Sequence, residues 1–535
     1  MIFSRPLLRT ALPMARLHEY KSKALLSEAG FSVPRGQVVR HPSEVGAAIP
    51  KIGLPVVVKA QAWTTSRASQ GAIAFADDHH EAATAVARML SLKLGGFDVT
   101  EILIEQKLDI TREFYAGVIV DDANRTPLVI FSSVGGTGIE ELSRKHPKNV
   151  AKTPVDIRVG LRGFEARDTV RRAGVTGQLQ SELAAALVGL YKVARHWECR
   201  SLEINPLVQT TDGKLVACDC RMTVDDNAVF RHPELEIEIA REFGRPPTEL
   251  DKIAWTVEKD DYRGTFYFIE MARGYKRGEG YIGFHGAGGG GSMMSMDALI
   301  QRGYKIANFT DTSGNPPASK VYRAAKIILS QPNIDGYFGS GSGVASQEQF
   351  HSARGLVKAF WEENLSIPAV IRLGGNAEDQ AVRILTEFTR NLPAPVEGYK
   401  KDDTADFCAE RMQLLVGANK ANAQPRKPIV PSVPVFEAKD PYTFDTPTGT
   451  IVYDHKVCRD CESKICVETC VPQILKLEDG KPVLKISRED AKGGQCTECL
   501  ACEVECRVGG KGGGRVMLPI PGLDEYRSGA KAATA

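Results

Sequence analysis

The run Glu203-Ile204-Asn205-Pro206-Leu207-Val208 holds a carboxylate and an amide two residues apart within an apolar stretch. Because successive side chains of a β-strand point to opposite faces, Glu203 and Asn205 are predicted to share one face. After a turn at Asp212-Gly213, the segment Val216-Ala217-Cys218-Asp219 brings up a second carboxylate. Oxygen ligands of this kind suit Mg²⁺, which keeps several waters and is shared with nucleotide phosphates. The alternative interpretation is a hairpin whose polar side chains are satisfied within the fold.

Several further motifs occur in a recognisable order along the chain: Leu17-His18-Glu19-Tyr20, Val57-Val58-Lys59, Ile104-Glu105, Glu113 and Asn227-Ala228-Val229-Phe230-Arg231. With the run at Glu203, they resemble the ATP-grasp β subunit of succinyl-CoA synthetase and its NDP-forming acyl-CoA ligase relatives. The resemblance covers roughly Met14 to Val416. It implies an α/β protein whose first domain holds a nucleotide between two small α+β lobes.

The resemblance assigns a role to each matching residue. A lysine at the end of a buried strand, such as Lys59, needs a partner because burying an ammonium costs several kcal/mol. A phosphate is a suitable partner, and a lysine that reaches out to solvent is the alternative. The implied roles are phosphate binding and charge neutralisation for Lys59 and Arg67, nucleotide binding for Glu105, Leu108 and Glu113, Mg²⁺ binding for Asn205 and Asp219, and contact with a partner's phosphohistidine for Glu203.

The loop from Trp63 to Gly71 departs from the family pattern. It keeps Arg67 but lacks the usual double glycine and the following lysine. Without those glycines the loop is expected to be stiffer, which puts nucleotide affinity in doubt. Pro34 matches a position where ATP-preferring relatives tend to have proline, so the sequence favours ATP over GTP.

Three strands followed by glycine-rich turns indicate a second, flavodoxin-like parallel sheet between residues 265 and 420. Such sheets bind ligands at the carboxyl ends of their strands, where helix N-termini attract anions. The residues predicted to bind the acid or phosphate are His285, Gly286, Gly339, Ser340 and Gly341. His285 stands where succinate-specific relatives tend to have asparagine, so a substrate other than succinate is expected. A structural histidine at a strand end is the alternative.

Eight cysteines near the C-terminus form two runs, Cys458-x2-Cys461-x4-Cys466-x3-Cys470 and Cys496-x2-Cys499-x2-Cys502-x3-Cys506. The second run has the bacterial ferredoxin spacing, in which the fourth cysteine of each run serves the other cluster. Zinc is the alternative, because four cysteines also suit tetrahedral Zn²⁺. The spacing predicts one [4Fe–4S] cluster on Cys458, Cys461, Cys466 and Cys506, and another on Cys470, Cys496, Cys499 and Cys502.

Length and composition bound the remaining possibilities. The chain has 535 residues, more than one core, and its net charge of +2 gives no case for nucleic-acid binding. No apolar run approaches the ~18 residues of a membrane span, and a cytoplasmic location is expected. The predicted organisation is an extension or misassigned start (1–13), an ATP-grasp domain (14–243), a connector (244–264), a flavodoxin-like CoA-ligase domain (265–420), a proline-rich linker (421–448), a ferredoxin-like domain (449–520) and a tail (521–535).

These features predict the β subunit of an ATP-dependent, ADP-forming acid–CoA ligase. By resemblance, the acyl-CoA would form through an acyl phosphate and a phosphohistidine on an α-type partner that also binds CoA, in a hetero-oligomer. ATP and Mg²⁺ are the expected cofactors, and the two clusters would exchange electrons with a redox partner. The alternative is a redox scaffold in which the ligase-like part is no longer catalytic.

Overall fold

The computed structural model describes residues 15–62, 70–135, 139–237, 245–259, 266–341, 343, 345–419 and 425–529. The chain divides into two compact units, Met1–Pro246 and Pro247–Ala535. Within the described ranges, no helix is both long enough and apolar enough to cross a bilayer. The predicted extension at residues 1–13 lies outside the described residues.

The first unit opens with a small α+β lobe. Its elements are α1 (Glu19–Glu28), β1 (Gly36–Val39), α2 (Val45–Ile52), β2 (Val56–Ala60), β3 (Ile73–Ala76), α3 (His79–Leu90), β4 (Lys93–Leu94), β5 (Phe97–Asp98) and β6 (Ile102–Gln106). Four strands form an antiparallel sheet in the order β1-β6-β2-β3. Gly30 follows α1 with a φ of +91°, the left-handed conformation that commonly ends a helix. The three valines of β2 favour a strand, and Lys59 comes directly after them.

The second lobe of this unit carries the Glu203 run. Its elements are β7 (Ile110–Asp121), β8 (Thr126–Ser132), α4 (Ile139–Lys145), β9 (Val150–Pro154), α5 (Gly163–Arg172), α6 (Gly177–His196), β10 (Cys199–Thr210), β11 (Leu215–Ala217) and β12 (Cys220–Val224). The sheet order is β11-β10-β7-β8-β9, with β12 also paired to β10. Leu202 and Ile204 are fully buried in the core, whereas Glu203 and Asn205 are half-buried. The alternation therefore places Glu203 and Asn205 on the opposite face, as predicted.

The second unit is built on a largely parallel sheet. Its first elements are α7 (Glu249–Lys259), β13 (Tyr267–Glu270), β14 (Tyr281–Ala287), α8 (Gly289–Gln301), β15 (Lys305–Asp311), α9 (Ala318–Ile328), β16 (Gly336–Gly341), α10 (Phe350–Glu362), β17 (Ala369–Arg372), α11 (Glu378–Phe388), β18 (Val396–Tyr399) and α12 (Ala405–Ala418). The order is β13-β15-β14-β16-β17-β18, with only β13 antiparallel to its neighbour in this sheet. Counted from β14, the parallel strands have the doubly wound order 2-1-3-4-5.

The cysteines lie in a small C-terminal part, residues 441–520, which we call the cysteine module. This part and the last helix contain β19 (Pro441–Asp445), β20 (Thr450–Asp454), α13 (His455–Arg459), α14 (Ile465–Glu468), β21 (Leu475–Glu478), β22 (Lys481–Leu484), α15 (Arg488–Asp490), α16 (Ala501–Gly509), β23 (Gly514–Met517) and α17 (Leu523–Ser528). Strands β19, β20 and β23 form one sheet, and β21 and β22 form a hairpin. The buried residues of the module belong to the same hydrophobic core as α9 and α10.

Three sequence-based expectations about these elements are corrected. The predicted connector contains helix α7, because Leu250, Ile253, Ala254 and Val257 recur at helical spacing and are buried. The predicted linker contains strand β19, which pairs with β20 across its whole length. The glycine-rich turn that was expected to follow a strand at Gly339 starts later in the chain. Gly339 to Gly341 continue β16, and the next helix, α10, begins only at Phe350.

Candidate functional site

Lys59, on β2, lies in a buried network of alternating charges. Its Nζ is 2.8 Å from Glu19 Oε1 and 2.8 Å from Glu105 Oε2. Lys23 Nζ contacts the same two carboxylates, at 2.7 Å from Glu19 and 2.6 Å from Glu105. Two cations and two anions therefore balance inside the lobe, where an unpaired charge would cost several kcal/mol. The alternative that Lys59 reaches out to solvent is wrong, because its ammonium is held among these carboxylates.

The surroundings of Lys59 favour its charged form. Burial alone would lower the pKa of the ammonium, but the carboxylates of Glu19, Glu105 and Asp219 outweigh this effect and raise the pKa above its usual value. Lys59 therefore remains cationic at neutral pH, the state in which a lysine can bind phosphate.

Two members of this network, Glu19 and Lys23, were not identified from the sequence. They lie one helical turn apart on α1, and both side chains are buried although they are charged. Glu19 lies within the His18-Glu19-Tyr20 motif, so an inward-facing Glu-x-x-x-Lys pair directly after it was the available signal. The partner of Lys23, Glu105, is 82 residues further along the chain, and no local pattern connects the two.

The predicted magnesium ligands come together beside Lys59. Lys59 Nζ donates to the main-chain carbonyl of Cys218 at 2.8 Å, and Asn205 N–H donates to the Asp219 carbonyl at 3.1 Å. Asp219 lies in the short segment between β11 and β12, so it is not the end of one continuous strand. Burial raises the pKa of the Cys218 thiol to about 11, which keeps it protonated at neutral pH. The oxygen-bearing side chains, not this thiol, are thus the suitable ligands for Mg²⁺.

Glu203 is held by two partners on neighbouring strands. The Tyr115 hydroxyl donates to Glu203 Oε2 at 3.0 Å, and Arg221 Nη1 lies 3.3 Å from Oε1. Gly117 provides the space for this phenol, because a Cβ at that position would lie 2.6 Å from the Tyr115 hydroxyl. Burial and the Glu203 carboxylate raise the pKa of Tyr115, so this phenol remains a donor at neutral pH. The carboxylate is therefore oriented but still partly exposed.

The remaining nucleotide-binding candidates are less closely grouped. Glu105 belongs to the Lys59 network. Leu108 is half-buried just after β6, and Glu113 is exposed on β7, where it pairs with Val208. Arg67 lies outside the described residues. The structure thus brings Lys59, Glu105, Asn205 and Asp219 together, and these four carry most of the candidate site.

In the second unit, His285 lies inside the sheet. Its Nδ1 is 2.5 Å from the Tyr337 hydroxyl and its Nε2 is 3.1 Å from Thr312 Oγ1. Burial lowers the pKa of His285 to about 3, so the imidazole is neutral. Both ring nitrogens have protein partners, which agrees with the alternative that His285 is a structural histidine. Contact with an acid substrate would require one of these bonds to break.

The other candidates for acid or phosphate binding lie on the same two strands. Gly286 on β14 pairs with Ser340 on β16, and His285 pairs with Gly339. Ser340 is buried, and its hydroxyl is 2.8 Å from that of Ser295 on α8. Gly341 is the last residue of β16. These residues meet where the strand order reverses, which is the usual ligand position in doubly wound sheets.

The eight C-terminal thiols fall into two spatial sets. Four of them line one small apolar cavity of about 20 Å³, together with Glu498 and apolar residues; these thiols are Cys470, Cys496, Cys499 and Cys502. Burial raises the pKa of Cys458, and the neighbouring thiols Cys466, Cys506 and Cys461 raise it further. Which of these thiols share a cluster stays a prediction from the spacing. Among the described residues no group of three or more His, Cys, Asp or Glu could hold a metal ion, so the metal sites stay predictions.

Buried charges join the cysteine module to helix α10. Lys358 Nζ is 2.8 Å from Glu503 Oε2 and 2.6 Å from Glu362 Oε1, and Arg354 Nη2 is 2.8 Å from Glu505 Oε1. Glu503 and Glu505 both lie between Cys502 and Cys506 on α16. The module is therefore packed firmly against the parallel-sheet domain and is not a loosely tethered appendage.

Comparison with known proteins agrees with this arrangement. A family model described as an ATP-grasp domain matches residues 16–209. The β subunit of the GDP-forming succinate–CoA ligase of Thermus thermophilus is 36% identical over 370 residues, which are 69% of this chain and 93% of that protein. The ADP-forming β subunit of Ignicoccus hospitalis is 35% identical over 374 residues, 69% of this chain and 93% of that protein.

Among solved structures, the ATP citrate lyase from Methanothrix soehngenii, in complex with citrate and coenzyme A, has a TM-score of 0.61 at 18% identity. The match covers 75% of this chain and 99% of that one, and at this identity it shows the fold alone. The curated relatives carry the assignment, because more than nine-tenths of each is matched at over 30% identity. The chain belongs to the family of succinate–CoA ligase β subunits, with the ATP-grasp fold in its N-terminal part.

Proposed function

We propose that this chain is the β-type subunit of an ATP-dependent, ADP-forming acid–CoA ligase. The observation that carries the proposal is the position of Lys59, a permanently charged ammonium beside the segment that bears Asp219. Phosphoryl transfer needs mainly positioning and neutralisation of charge. A lysine, a carboxylate and an amide at one place supply both of these requirements.

In this proposal acid, CoA and ATP give acyl-CoA, ADP and phosphate through an acyl phosphate. Lys59 and Arg67 bind the phosphates, while Asn205 and Asp219 hold Mg²⁺, which neutralises phosphate charge. Glu203, oriented by Tyr115 and Arg221, faces the phosphohistidine of an α-type partner that also binds CoA. The acid binds near Gly286 and Ser340, and the family departure at His285 favours an acid other than succinate.

We further propose that the cysteine module holds two [4Fe–4S] clusters. The donor set fits, because thiolates are the usual cluster ligands and the second set surrounds an apolar cavity. Two buried hydroxyls in the module, Tyr453 Oη and Thr497 Oγ1, have no hydrogen-bond partner within the described part of the chain. Buried hydroxyls are nearly always paired, so these two are suited to a group that the protein alone does not supply. When bound, the clusters would supply one-electron transfer to or from a redox partner.

One observation favours the redox scaffold as a second candidate. The module is joined to α10 by buried ion pairs, and a fixed platform is what an electron-transfer subunit would need. In that case the ligase-like part would provide support without turnover. The surroundings of Lys59 argue for turnover, because its ammonium also bonds the main chain beside Asp219, in a region of half-buried polar residues.

The test is an anaerobic purification with an α-type subunit supplied, followed by counts of iron and sulfide and an assay of ADP release. The assay uses CoA and a panel of carboxylic acids, with each acid omitted in turn as the control. Acid-dependent ADP release with about eight irons per chain, two four-iron clusters, is the expected result. Eight irons without turnover for any acid would favour the scaffold, and an iron-free protein would refute the cluster proposal.

A further inference from the structure

The two cysteine sets have a common neighbour, Tyr453. This residue lies on β20 and is fully buried. Burial raises the pKa of its phenol far above the usual value, and Cys502, Cys466, Cys470 and Cys506 raise it further. Two of these cysteines belong to each set. The segment paired with Tyr453 touches both sets, because a Cβ on Gly513 would lie 2.9 Å from Cys458 Sγ and a Cβ on Gly514 would lie 2.6 Å from the Cys502 carbonyl oxygen.

The hydroxyl of Tyr453 has no hydrogen-bond partner among the residues that the structure describes. A buried hydroxyl that loses its bonds to water destabilises the fold when no acceptor replaces them. Phenylalanine would fill the same space without this cost. The retained hydroxyl thus indicates an acceptor at this position that is not a protein atom.

The main chain around Tyr453 fixes where the phenol lies. Tyr453 pairs with Gly514 on β23 and with Tyr442 on β19. A Cβ on Gly514 would lie 3.0 Å from Tyr453 Cε1 and 2.6 Å from the Cys502 carbonyl oxygen. Only glycine therefore allows β23 to pass so close to both the ring and the helix that carries Cys502.

We propose that the Tyr453 hydroxyl donates a hydrogen bond to a sulfur atom of a bound iron–sulfur cluster, and that it thereby raises the reduction potential of that cluster. The proposal rests on the proposed cluster binding. Reduction makes the cluster more negative, so a hydrogen bond to its sulfur is stronger in the reduced state and favours reduction. Hydrogen bonds to the sulfurs are among the features that set cluster potentials. Tyr453 acts here as a positioning and tuning residue, not as a ligand.

The test is Tyr453→Phe in the full-length chain, purified anaerobically and titrated electrochemically with detection by electron paramagnetic resonance. Phenylalanine keeps the ring and removes only the hydroxyl, so iron and sulfide content should not change. We expect at least one cluster to become harder to reduce by about tenfold in its equilibrium constant, or about 59 mV for one electron. Tyr442→Phe is the matched control, because the Tyr442 hydroxyl accepts from Leu484 N–H at 3.0 Å and so has a protein partner.

A second measurement keeps the test independent of small potential shifts. Electron–nuclear double resonance of the reduced protein, before and after exchange into D₂O, should show the exchangeable protons coupled to the clusters, and Tyr453→Phe should lack one that the wild type shows. Unchanged potentials together with an unchanged proton signal would overturn the inference about Tyr453. Absence of iron from the wild-type protein would instead overturn the cluster proposal on which it rests, so the two failures are distinguishable.

Discussion

Two buried lysines, one in each unit, have nearly the same electrostatic surroundings. Lys59 lies 2.8 Å from each of Glu19 and Glu105, and Lys358 lies 2.6 Å from Glu362 and 2.8 Å from Glu503. Burial would lower both pKa values, but the carboxylates outweigh it and raise them. Local charge balance alone therefore does not distinguish a ligand-binding lysine from a structural one.

The two lysines differ in the other bonds that they and their partners make. Lys59 also bonds the main chain beside Asp219, in a region of half-buried polar residues. The partners of Lys358 are instead committed to the protein, because Glu503 accepts from Val516 N–H at 2.8 Å and Glu362 from the Tyr322 hydroxyl at 2.5 Å. A buried lysine thus indicates a binding site only when its surroundings leave a face for a ligand.

Replacement of Lys358 should have the largest effect on stability. Lys358→Ala leaves Glu362 and Glu503 buried without their cation, and removing one member of a buried pair costs about 3–5 kcal/mol. Urea denaturation under anaerobic conditions measures this loss, with the exposed Lys252→Ala as the control. Adding Glu503→Gln should recover part of the loss. If the double variant lost as much free energy of unfolding as the two single variants together, the pairing of Lys358 with Glu503 would be contradicted.

Replacement of Lys59 should instead act on catalysis. Lys59→Met removes a charged donor from the proposed phosphate site, and loss of one such donor typically lowers turnover by about 10²–10³-fold. The assay is ADP release with an α-type subunit present. Lys214→Met, which removes an exposed lysine paired only with Asp212, should leave the rate unchanged. Equal rates for the two variants would argue against a phosphate-binding role.

His285 should make stability depend on pH. Its pKa is about 3 in the folded chain, against about 6.5 for a histidine exposed in the unfolded chain, so between these values only the unfolded chain binds the proton. The contribution of His285 to the free energy of unfolding is therefore complete above about pH 6.5. It is lost as the pH falls, and the loss is about 2 kcal/mol at pH 5. Urea midpoints at pH 7 and pH 5 should differ less for His285→Gln than for the wild type. A difference of the same size in both proteins would contradict the buried neutral imidazole.

The smallest expected effect is that of Lys23. Lys23→Gln leaves Glu19 and Glu105 with Lys59 as their one remaining cation in this network, so Lys59 should be held more tightly away from phosphate. We expect the KM for ATP to rise by about tenfold, or roughly 1.4 kcal/mol, with a smaller change in kcat. Lys21→Gln on the same helix is the control. An unchanged KM would show that Lys23 only balances charge.

Local patterns were sufficient for much of this protein. Period-two alternation placed Glu203 and Asn205 on one face, and the valines of β2 led directly to Lys59. The cysteine spacing predicts two sets of cluster ligands, and the four thiols of one set line a single cavity. Each of these signals is contained within a few residues and depends on geometry that strands and tight turns fix by themselves.

The parts that sequence reasoning missed depend on long-range contacts. Lys23 meets Glu105 across 82 residues, and Arg354 meets Glu505 across 151 residues. No periodicity predicts such pairs, so the cysteine module was expected behind an extended, proline-rich linker. His285 shows the same limit, because Tyr337 and Thr312 satisfy its ring from neighbouring strands.

The most direct measurement is a calorimetric titration of the purified chain with Mg-ADP. The wild type and Lys214→Met should bind with the same affinity, and Lys59→Met should bind at least about tenfold more weakly, a loss of roughly 1.4 kcal/mol. Lys358→Met, where it remains folded, should bind as the wild type does. Equal binding by Lys59→Met and the wild type, or no binding by any of them, would contradict a nucleotide site at Lys59.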